Sequence, residues 1–253
     1  MLAGIKDILI ISTPEDTPRM EALLGNGSHF GLNITYKIQP SPDGLAQAFI
    51  LGEEFIGDDS CCMILGDNIL YGNGLKKNLL IAKNSADQGE STIFGYYVND
   101  PERFGVVEFN NDGKAISIEE KPIAPKSNYA VIGLYFYPKG VSKNAKSLKP
   151  SKRGELEITD LNKLYLNENT LNVLTLGRGI TWLDAGTYDS LAEATSFVKM
   201  IEEHQGLMIS SPEEIAFNNG WISKEKLLEI GKSMAKNSYG KHLINVAEGK
   251  ILY

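Results

Sequence analysis

The sequence predicts an α/β fold in which a mostly parallel sheet carries helices on both faces. Two observations support this prediction. The first half of the chain alternates strand-like and helix-like segments, a pattern typical of helix-covered parallel sheets. The apolar run at residues 61–65 suits a strand buried on both faces, and it leads directly into Gly66 and Asp67. Because the chain has 253 residues, it can bury one sizeable core, and we predict a single domain over 1–253.

Four segments precede the run at 61–65, in the order strand, helix, strand, helix: residues 8–11, 17–24, 34–38 and 45–55. Thr17 can cap the first helix, Pro18 suits its first turn and Gly25 suits its end. The second strand has apolar residues at every other position, which is the period of a strand. The order of these segments is the one that a parallel sheet requires.

The middle of the chain holds strand-like segments at residues 92–98, 106–109, 116–118, 129–137, 173–176 and 181–183. A turn at 110–113 separates the second from the third, which predicts an inserted β-hairpin. Helical patterns occur at residues 154–166 and 227–234. Another helix is predicted to begin at Ser211, where Glu214 would complete a capping box. The sequence therefore predicts a helical C-terminal extension over 201–253.

The bulk composition excludes several classes of function. Lys and Arg total 25 against 32 Asp and Glu, and no basic run is dense enough to bind a nucleic-acid polymer. The sequence shows neither a membrane-length apolar stretch nor a signal peptide, so we predict a soluble, cytoplasmic protein. His29, His204 and His242 lack metal-ligand spacing, which argues against a zinc site or a histidine triad. Cys61 and Cys62 point to opposite faces of a strand, so a disulfide between them is implausible.

Two acids, Asp67 and Asp184, close apolar strands. Carboxylates at strand ends can meet at one edge of a sheet and share a hard cation that also binds phosphate. Taken alone, each acid is equally well explained as a turn residue. Glu120 and Lys121 combine an acceptor for hydroxyls with a cation for phosphate, and Arg153 offers a second cation. In isolation, an exposed hairpin end is the favoured explanation of Glu120 and Lys121, and the start of a solvated helix explains Arg153 equally well.

Taken in order, the motifs of the chain resemble the glucose-1-phosphate thymidylyltransferase family along essentially the whole sequence. They are QPSPDGLAQA at 39–48, LGDN at 65–68, DPERFGVV at 100–107, EEKP at 119–122, SNYAV at 127–131, RGELEITD at 153–160, WLD at 182–184, SPEEIA at 211–216 and NGWI at 219–222. The resemblance implies the Rossmann-like fold of nucleotide-diphospho-sugar transferases. It also implies that dTTP and glucose 1-phosphate react to give dTDP-glucose and pyrophosphate, as a first step towards dTDP-L-rhamnose and related deoxysugars. Mg²⁺ as cofactor and a homotetrameric assembly are further implications.

The resemblance implies a role for each matching residue. The thymine ring would be bound by Gln39, Gly44 and Leu45. Mg²⁺ would be held by Asp67 and Asp184. Glucose 1-phosphate would be bound by Gly105, Glu120, Lys121 and Val131. The catalytic set would be Lys121, Arg153 and Asp67, with both cations directed at phosphate charge. A second, inhibitory nucleotide site would include Tyr71, Gly72 and Arg178.

One family motif has no match in the 253 residues: the glycine-rich loop GGxGTRL with its following lysine, which holds the triphosphate. Residues 1–8 instead resemble the approach to the family's second strand. We therefore expect the chain to lack the family's first strand and loop, and to release little pyrophosphate on its own. Two alternatives stay open, namely a noncatalytic nucleotide-sugar-binding or regulatory remnant, and an enzyme that uses UTP. The string at 39–45 argues against UTP.

Overall fold

The structure is a computed structural model in which residues 1–251 are described. Its strands are β1 Asp7–Ser12, β2 Asn33–Ile38, β3 Cys61–Ile64, β4 Asn68–Gly72, β5 Ser91–Tyr97, β6 Gly105–Phe109, β7 Ala115–Glu120, β8 Tyr129–Tyr137, β9 Leu171–Leu176 and β10 Ile180–Asp184. Its α-helices are α1 Thr17–Leu24, α2 Gln47–Leu51, α3 Glu53–Ile56, α4 Leu75–Asp87, α5 Val141–Lys146, α6 Ile158–Asn167, α7 Tyr188–Gln205, α8 Pro212–Asn218, α9 Lys224–Ser233 and α10 Ser238–Ala247. In this part of the chain, no helix is both long enough and apolar enough to cross a bilayer.

The chain divides into two compact units. Residues 37–186 form the central unit, and residues 1–36 together with 187–253 form the terminal unit. The central unit contains every residue to which the sequence assigned a role. The prediction of one domain with a helical extension over 201–253 stays a prediction, although α8, α9 and α10 lie in that range.

The central unit is built around β8. Its six-stranded sheet runs β7-β6-β8-β5-β9, and β3 also pairs with β8. Within this sheet β5 and β9 are parallel, whereas the pairs of β8 with β3, β5 and β6 and the β6–β7 hairpin are antiparallel. The α/β class and the inserted hairpin are therefore as predicted, but the sheet is mixed rather than mostly parallel. Apolar periodicity reports which faces of a strand are buried, and it carries no information about strand direction.

Strand β3 occupies the predicted position but is less buried than predicted. Ile64 is 57% exposed, and Cys61 and Cys62 are only partly buried. β3 and β6 pair with the same edge of β8. β3 lies beside residues 134–137 and β6 beside residues 129 and 130. Both cysteines are free thiols, as expected, and burial raises the pKa of each to about 12.

Several helices differ from the sequence prediction. The helix expected at 45–55 is split at Gly52 into α2 and α3. The helix expected from residue 154 begins only at Ile158, because Glu157 has an extended backbone. Helix α4 was not predicted, although residues 75, 79, 82 and 86 of it are buried with helical spacing.

The terminal unit contains the strand pair β1–β2 and the helices α1 and α7 to α10. The predicted cap at Ser211 is confirmed, because its Oγ accepts from the backbone N–H of Glu214 at 3.4 Å. The predicted capping box is wrong in its second half. The carboxylate of Glu214 lies 2.6 Å from Nε2 of His242, so it does not reach back to the backbone of Ser211. The carboxylate of Glu214 is therefore paired with the buried imidazole of His242 and not with the N-cap backbone.

Candidate active site

A ladder between β4 and β10 brings the two predicted metal carboxylates together. The strands are antiparallel, and Asp184 is paired with Asn68, the residue that follows Asp67. The backbone N–H of Ala185 donates to the carbonyl oxygen of Asp67 at 2.8 Å. A Cβ on Gly186 would lie 3.0 Å from Oδ1 of Asp184 and 3.3 Å from Oδ2 of Asp67. The two carboxylates therefore face the same point, as the sequence predicted.

Neutral donors hold these carboxylates. The side-chain amide of Asn68 donates to Oδ1 of Asp67 at 2.8 Å. The backbone N–H of Gly186 donates to Oδ1 of Asp184 at 2.9 Å. Such a donor set fits Mg²⁺, which is commonly bound through one or two carboxylates, with waters and phosphate oxygens completing the shell. Among residues 1–251, no group of three or more His, Cys, Asp and Glu side chains could hold a metal ion.

A cation that the sequence analysis missed lies near this pair. The guanidinium of Arg103 is 5.3 Å from the ring centroid of Phe104, and that ring is 5.2 Å from the ring of Trp182. The hydrogen bond from Arg103 to Asp100 raises the pKa of the guanidinium, and the charge of Asp184 acts in the same direction. Of the two carboxylates, it is Asp184 whose charge acts on Arg103. Arg103 lies inside the DPERFGVV motif, so its position in that string was the available signal.

Three of the predicted sugar-phosphate residues surround one point. Gly105 and Glu120 are direct partners in the β6–β7 ladder. A Cβ on Gly105 would lie 3.4 Å from Oε2 of Glu120 and 3.8 Å from Cβ of Val131. It would also lie 3.1 Å from Oγ1 of Thr159, a residue without a predicted role whose hydroxyl donates to Glu120. The absence of a side chain at Gly105 keeps this space open.

Arg153 is bound bidentately by a carboxylate that the sequence analysis did not assign. Its Nη2 and Nε lie 2.8 and 3.1 Å from the two carboxylate oxygens of Glu157. The same Nη2 is 3.7 Å from Oε1 of Glu120 and 3.5 Å from Oε2 of Glu155. We call Glu120, Lys121, Arg153, Glu155 and Glu157 the charged cluster. Its arginine is paired before any phosphate binds.

Glu157 is buried, with 7% of its surface exposed. Burial alone would raise the pKa of this carboxyl, but hydrogen bonds from Arg153 and Ser151 outweigh it and lower the pKa. The charge of Lys121 contributes to the same lowering. Lys121 itself has a left-handed backbone with φ of 43°, and its N–H donates to the carbonyl oxygen of Phe104 at 3.0 Å.

The pKa of one buried side chain, Tyr135, responds both to the charged cluster and to the carboxylate pair. Tyr135 on β8 is 3% exposed, and burial raises its pKa. The charges of Glu120 and of Asp67 raise it further. The backbone of β8 links the two groups directly, because Val131 lies beside the point shared by Gly105 and Glu120 and Gly133 donates to Asn68, the residue after Asp67. The charged cluster and the carboxylate pair therefore lie in the same part of the central unit.

The predicted thymine residues lie in a loop that is fastened to the segment before α6. The N–H of Leu156 donates to the carbonyl oxygen of Asp43 at 2.7 Å. Gly44 has φ of 102°, and a Cβ there would lie 2.4 Å from the carbonyl oxygen of Leu156, so this position requires glycine. Nε2 of Gln39 donates to Oε1 of Gln47 at 2.6 Å. Leu45 in the same loop is exposed, with 39% of its surface accessible.

The predicted inhibitory residues lie at the opposite end of the β4–β10 ladder. Tyr71 is paired with Thr181, and Gly72 with Ile180. A Cβ on Gly72 would lie 2.1 Å from the carbonyl oxygen of Gly179. Arg178 lies one residue before Gly179, so the three predicted residues are brought together at this end.

An α/β unit that combines a carboxylate pair with a charged cluster has what a metal-assisted phosphoryl transfer needs. It defines an enzyme that transfers a phosphoryl-type group. A family model described as Nucleotidyl transferase matches residues 1–200, and the chain belongs to this family.

The names of the chain's relatives describe a narrower activity than the name of the family does. The chain is 56% identical over 246 residues to a glucose-1-phosphate thymidylyltransferase of Neisseria meningitidis, covering 97% of this chain and 85% of the relative. A Mycobacterium tuberculosis enzyme of the same name is 50% identical over 248 residues, with 98% and 85% covered. These findings confirm the resemblance inferred from the motifs.

Solved structures agree with this assignment. A Bacillus anthracis structure in complex with sucrose, named for the same activity, superposes with a TM-score of 0.69 at 41% identity and covers 77% of each chain. A UDP-glucose pyrophosphorylase with bound UDP-glucose gives a TM-score of 0.66 at 23% identity, covering 79% of this chain and 83% of that one. The latter shows a shared fold, so the predicted α/β fold of nucleotide-diphospho-sugar transferases is confirmed, apart from the direction of its strands.

Proposed function

We propose that this chain is a glucose-1-phosphate thymidylyltransferase, the class of enzyme that forms dTDP-glucose and pyrophosphate from dTTP and glucose 1-phosphate. Low pyrophosphate release by these 253 residues alone stays a prediction. The observation that carries the proposal is the convergence of Asp67 and Asp184 beside Gly186, in a chain 56% identical to a Neisseria meningitidis enzyme of that name. The charged cluster supplies the groups that a sugar phosphate needs in the same unit.

The proposed reaction is one in-line displacement. A phosphate oxygen of glucose 1-phosphate bonds to the α-phosphorus of dTTP, and the bond from that phosphorus to the bridging oxygen breaks. Pyrophosphate leaves with the electron pair, and no covalent enzyme intermediate is needed. Alignment and charge neutralisation are the main contributions that a protein makes to such a step. When bound between Asp67 and Asp184, Mg²⁺ would neutralise charge on the phosphate oxygens.

The sugar phosphate is assigned to the charged cluster. Lys121 and Arg153 attract its phosphate, and the carboxylate of Glu120 accepts hydrogen bonds from sugar hydroxyls. Thr159 donates to one oxygen of Glu120, which fixes the rotamer of the carboxylate. The space beside Gly105 and Val131 admits the ring. The assignment is supported by the convergence of Glu120, Val131 and Thr159 on the space beside Gly105.

Thymine recognition is assigned to Gln39, with Gly44 and Leu45. Because Nε2 of Gln39 donates to Gln47, its Oε1 is the atom available as an acceptor for the N3–H of thymine. Cytosine has no hydrogen on N3, so the same acceptor would disfavour it. Leu45 supplies an apolar contact for the ring.

The family resemblance supports four further assignments. We propose that Tyr71, Gly72 and Arg178 belong to a second, inhibitory nucleotide site, and that the chain assembles as a homotetramer. A cytoplasmic location and a place at the first step towards dTDP-L-rhamnose and related deoxysugars complete the proposal.

The test is the binding of nucleotide sugars, measured by calorimetry with Mg²⁺ present, which does not depend on turnover. We expect dTDP-glucose to bind about tenfold more tightly than its cytidine counterpart, dCDP-glucose, the equivalent of 1.4 kcal/mol. Glucose 1-phosphate should bind to the same chain, and Lys121→Ala should weaken that binding. Equal affinity for the two nucleotide sugars would contradict the thymidylyl assignment.

A further inference from the structure

Two donors from neighbouring strands fix the orientation of the side-chain amide of Asn68. Its Oδ1 accepts from the backbone N–H of Gly133 on β8 at 3.0 Å. The same oxygen accepts from the indole Nε1–H of Trp182 on β10 at 2.7 Å. Both partners can only donate, so this atom of the amide is the oxygen. The other atom is therefore the nitrogen, which can only donate.

That nitrogen is directed at the carboxylate of Asp67. Nδ2 of Asn68 lies 2.8 Å from Oδ1 of Asp67. The second carboxylate oxygen, Oδ2, lies 3.3 Å from the Cβ position on Gly186 that Asp184 also faces. The two oxygens of Asp67 are thus used differently, because Asn68 holds one and the other faces the carboxylate of Asp184.

The glycine at position 133 makes this arrangement possible. A Cβ there would lie 2.9 Å from Nδ2 of Asn68 and 2.7 Å from Cγ of Leu65. A side chain would displace both residues, so only glycine lets the amide reach the backbone of β8. The group that approaches the backbone at Gly133 is therefore the side chain of Asn68.

We propose that Asn68 is a positioning residue for the metal site. It holds the carboxylate of Asp67 with Oδ2 towards Asp184, and it ties this orientation to β8 and β10. The proposal rests on the function proposed above, because it requires that Asp67 and Asp184 hold Mg²⁺. Hydrogen bonds to metal ligands contribute about 10- to 100-fold to metal affinity, which is the size of effect expected here.

The test measures how much Mg²⁺ strengthens the binding of dTDP-glucose to the 253-residue chain. Calorimetry with EDTA and with Mg²⁺ gives two dissociation constants, and their ratio is the metal-dependent gain. We expect Asn68→Leu, which is similar in size but cannot donate, to lower this gain about tenfold. Affinity in EDTA should stay close to that of the wild type. Should the leucine variant fail to fold, Asn68→Ser, whose hydroxyl is too short for all three contacts, should show the same loss.

The matched control is Tyr137→Phe, which removes a buried hydrogen bond to Asn162 elsewhere in the central unit. We expect this variant to lose thermal stability while keeping the full metal-dependent gain. An equal loss of gain in both variants would reduce the effect to stability and overturn the positioning role. If Asn68→Leu keeps the gain while Asp67→Asn loses it, the positioning role is wrong and the metal site stands. A wild-type chain without any gain would contradict both proposals.

Discussion

The carboxylate pair and the charged cluster belong to the same unit but are assembled in opposite ways. Asp67 and Asp184 face each other and are held by neutral amide donors. Arg153, in contrast, is already bound bidentately by Glu157. The carboxylate pair has two negative charges without a cationic partner bonded to them among residues 1–251, so it favours the binding of a cation. In the charged cluster the arginine is already paired with a carboxylate, so an incoming phosphate must compete with carboxylates for Arg153.

Removing the arginine should have the largest effect on the charged cluster. Arg153→Ala leaves the buried carboxylate of Glu157 without its bidentate partner, so the free energy of unfolding should fall by roughly 1–3 kcal/mol at neutral pH. Binding of glucose 1-phosphate should weaken by about 10- to 100-fold, because a charge-assisted contact is lost. Chemical denaturation and calorimetry measure the two effects. A variant that binds normally would show that the phosphate is held elsewhere.

The same variant predicts a pH dependence. In the folded wild type the pKa of Glu157 lies below its ordinary value of 4.5. A lowered pKa stabilises the fold above the ordinary value, and this contribution is lost as the pH falls through the folded-state pKa. The difference in unfolding free energy between wild type and Arg153→Ala should therefore be largest near neutral pH and shrink below 4.5. A difference that stays constant down to acid would exclude the ionised Glu157 as its source.

Filling the gap between Asp67 and Asp184 should affect the carboxylate pair and leave the charged cluster unchanged. In Gly186→Ala the new Cβ would lie 3.0 Å from Asp184 and 3.3 Å from Asp67, so the carboxylates must move apart. We expect the metal-dependent gain in dTDP-glucose binding to fall by about tenfold. Binding of glucose 1-phosphate without metal serves as the control and should be unchanged.

Filling the space beside the sugar residues should have a smaller effect. In Gly105→Ala the new Cβ would lie 3.1 Å from Thr159 and 3.4 Å from Glu120, so both side chains must shift slightly. Overpacking of this kind costs about 1 kcal/mol, which corresponds to roughly fivefold weaker binding of glucose 1-phosphate. Calorimetry of glucose 1-phosphate and of free dTTP separates the effects, since dTTP affinity should not change.

An effect of the same size is expected on base selectivity. Gln39→Ala removes one hydrogen-bond acceptor, worth about 1 kcal/mol, so the preference for dTDP-glucose over dCDP-glucose should narrow by roughly fivefold. Gln47→Ala is the informative partner, because it removes the shorter of the two hydrogen bonds that hold Nε2 of Gln39 and leaves only the 3.4 Å contact with the carbonyl oxygen of Gly44. It should narrow the preference in the same direction. Unchanged selectivity in both variants would place base recognition outside this loop.

The sequence predicts the carboxylate pair better than the charged cluster, and the reason is physical. Asp67 follows one apolar strand and Asp184 ends another, so local patterns identify both acids, whereas their approach depends on the antiparallel β4–β10 ladder. The bond of Arg153 to Glu157 depends on an extended segment where the local pattern favours a helix from residue 154. Propensity gives way there to buried ion pairing, which a local pattern does not contain.

Long-range pairing is the other feature that the sequence does not reveal. β4 was not predicted as a strand, because residues 68–72 become a strand by pairing with 180–184. That pairing places Asn68 opposite Asp184 and brings Trp182 to its amide. The supporting contacts of the site are therefore visible only in the folded chain, whereas its charged residues are visible in the motifs.

The central claim is that Asp67 and Asp184 together hold a divalent cation. Phosphate oxygens of a bound nucleotide sugar would complete the coordination shell of that cation. The most direct measurement is the electron paramagnetic resonance signal of free Mn²⁺, which replaces Mg²⁺, titrated with the chain and dTDP-glucose. We predict that the wild-type chain removes Mn²⁺ from solution and that Asp67→Asn and Asp184→Asn each weaken this binding by about 100-fold. Mn²⁺ binding that persists undiminished in both variants would contradict the claim.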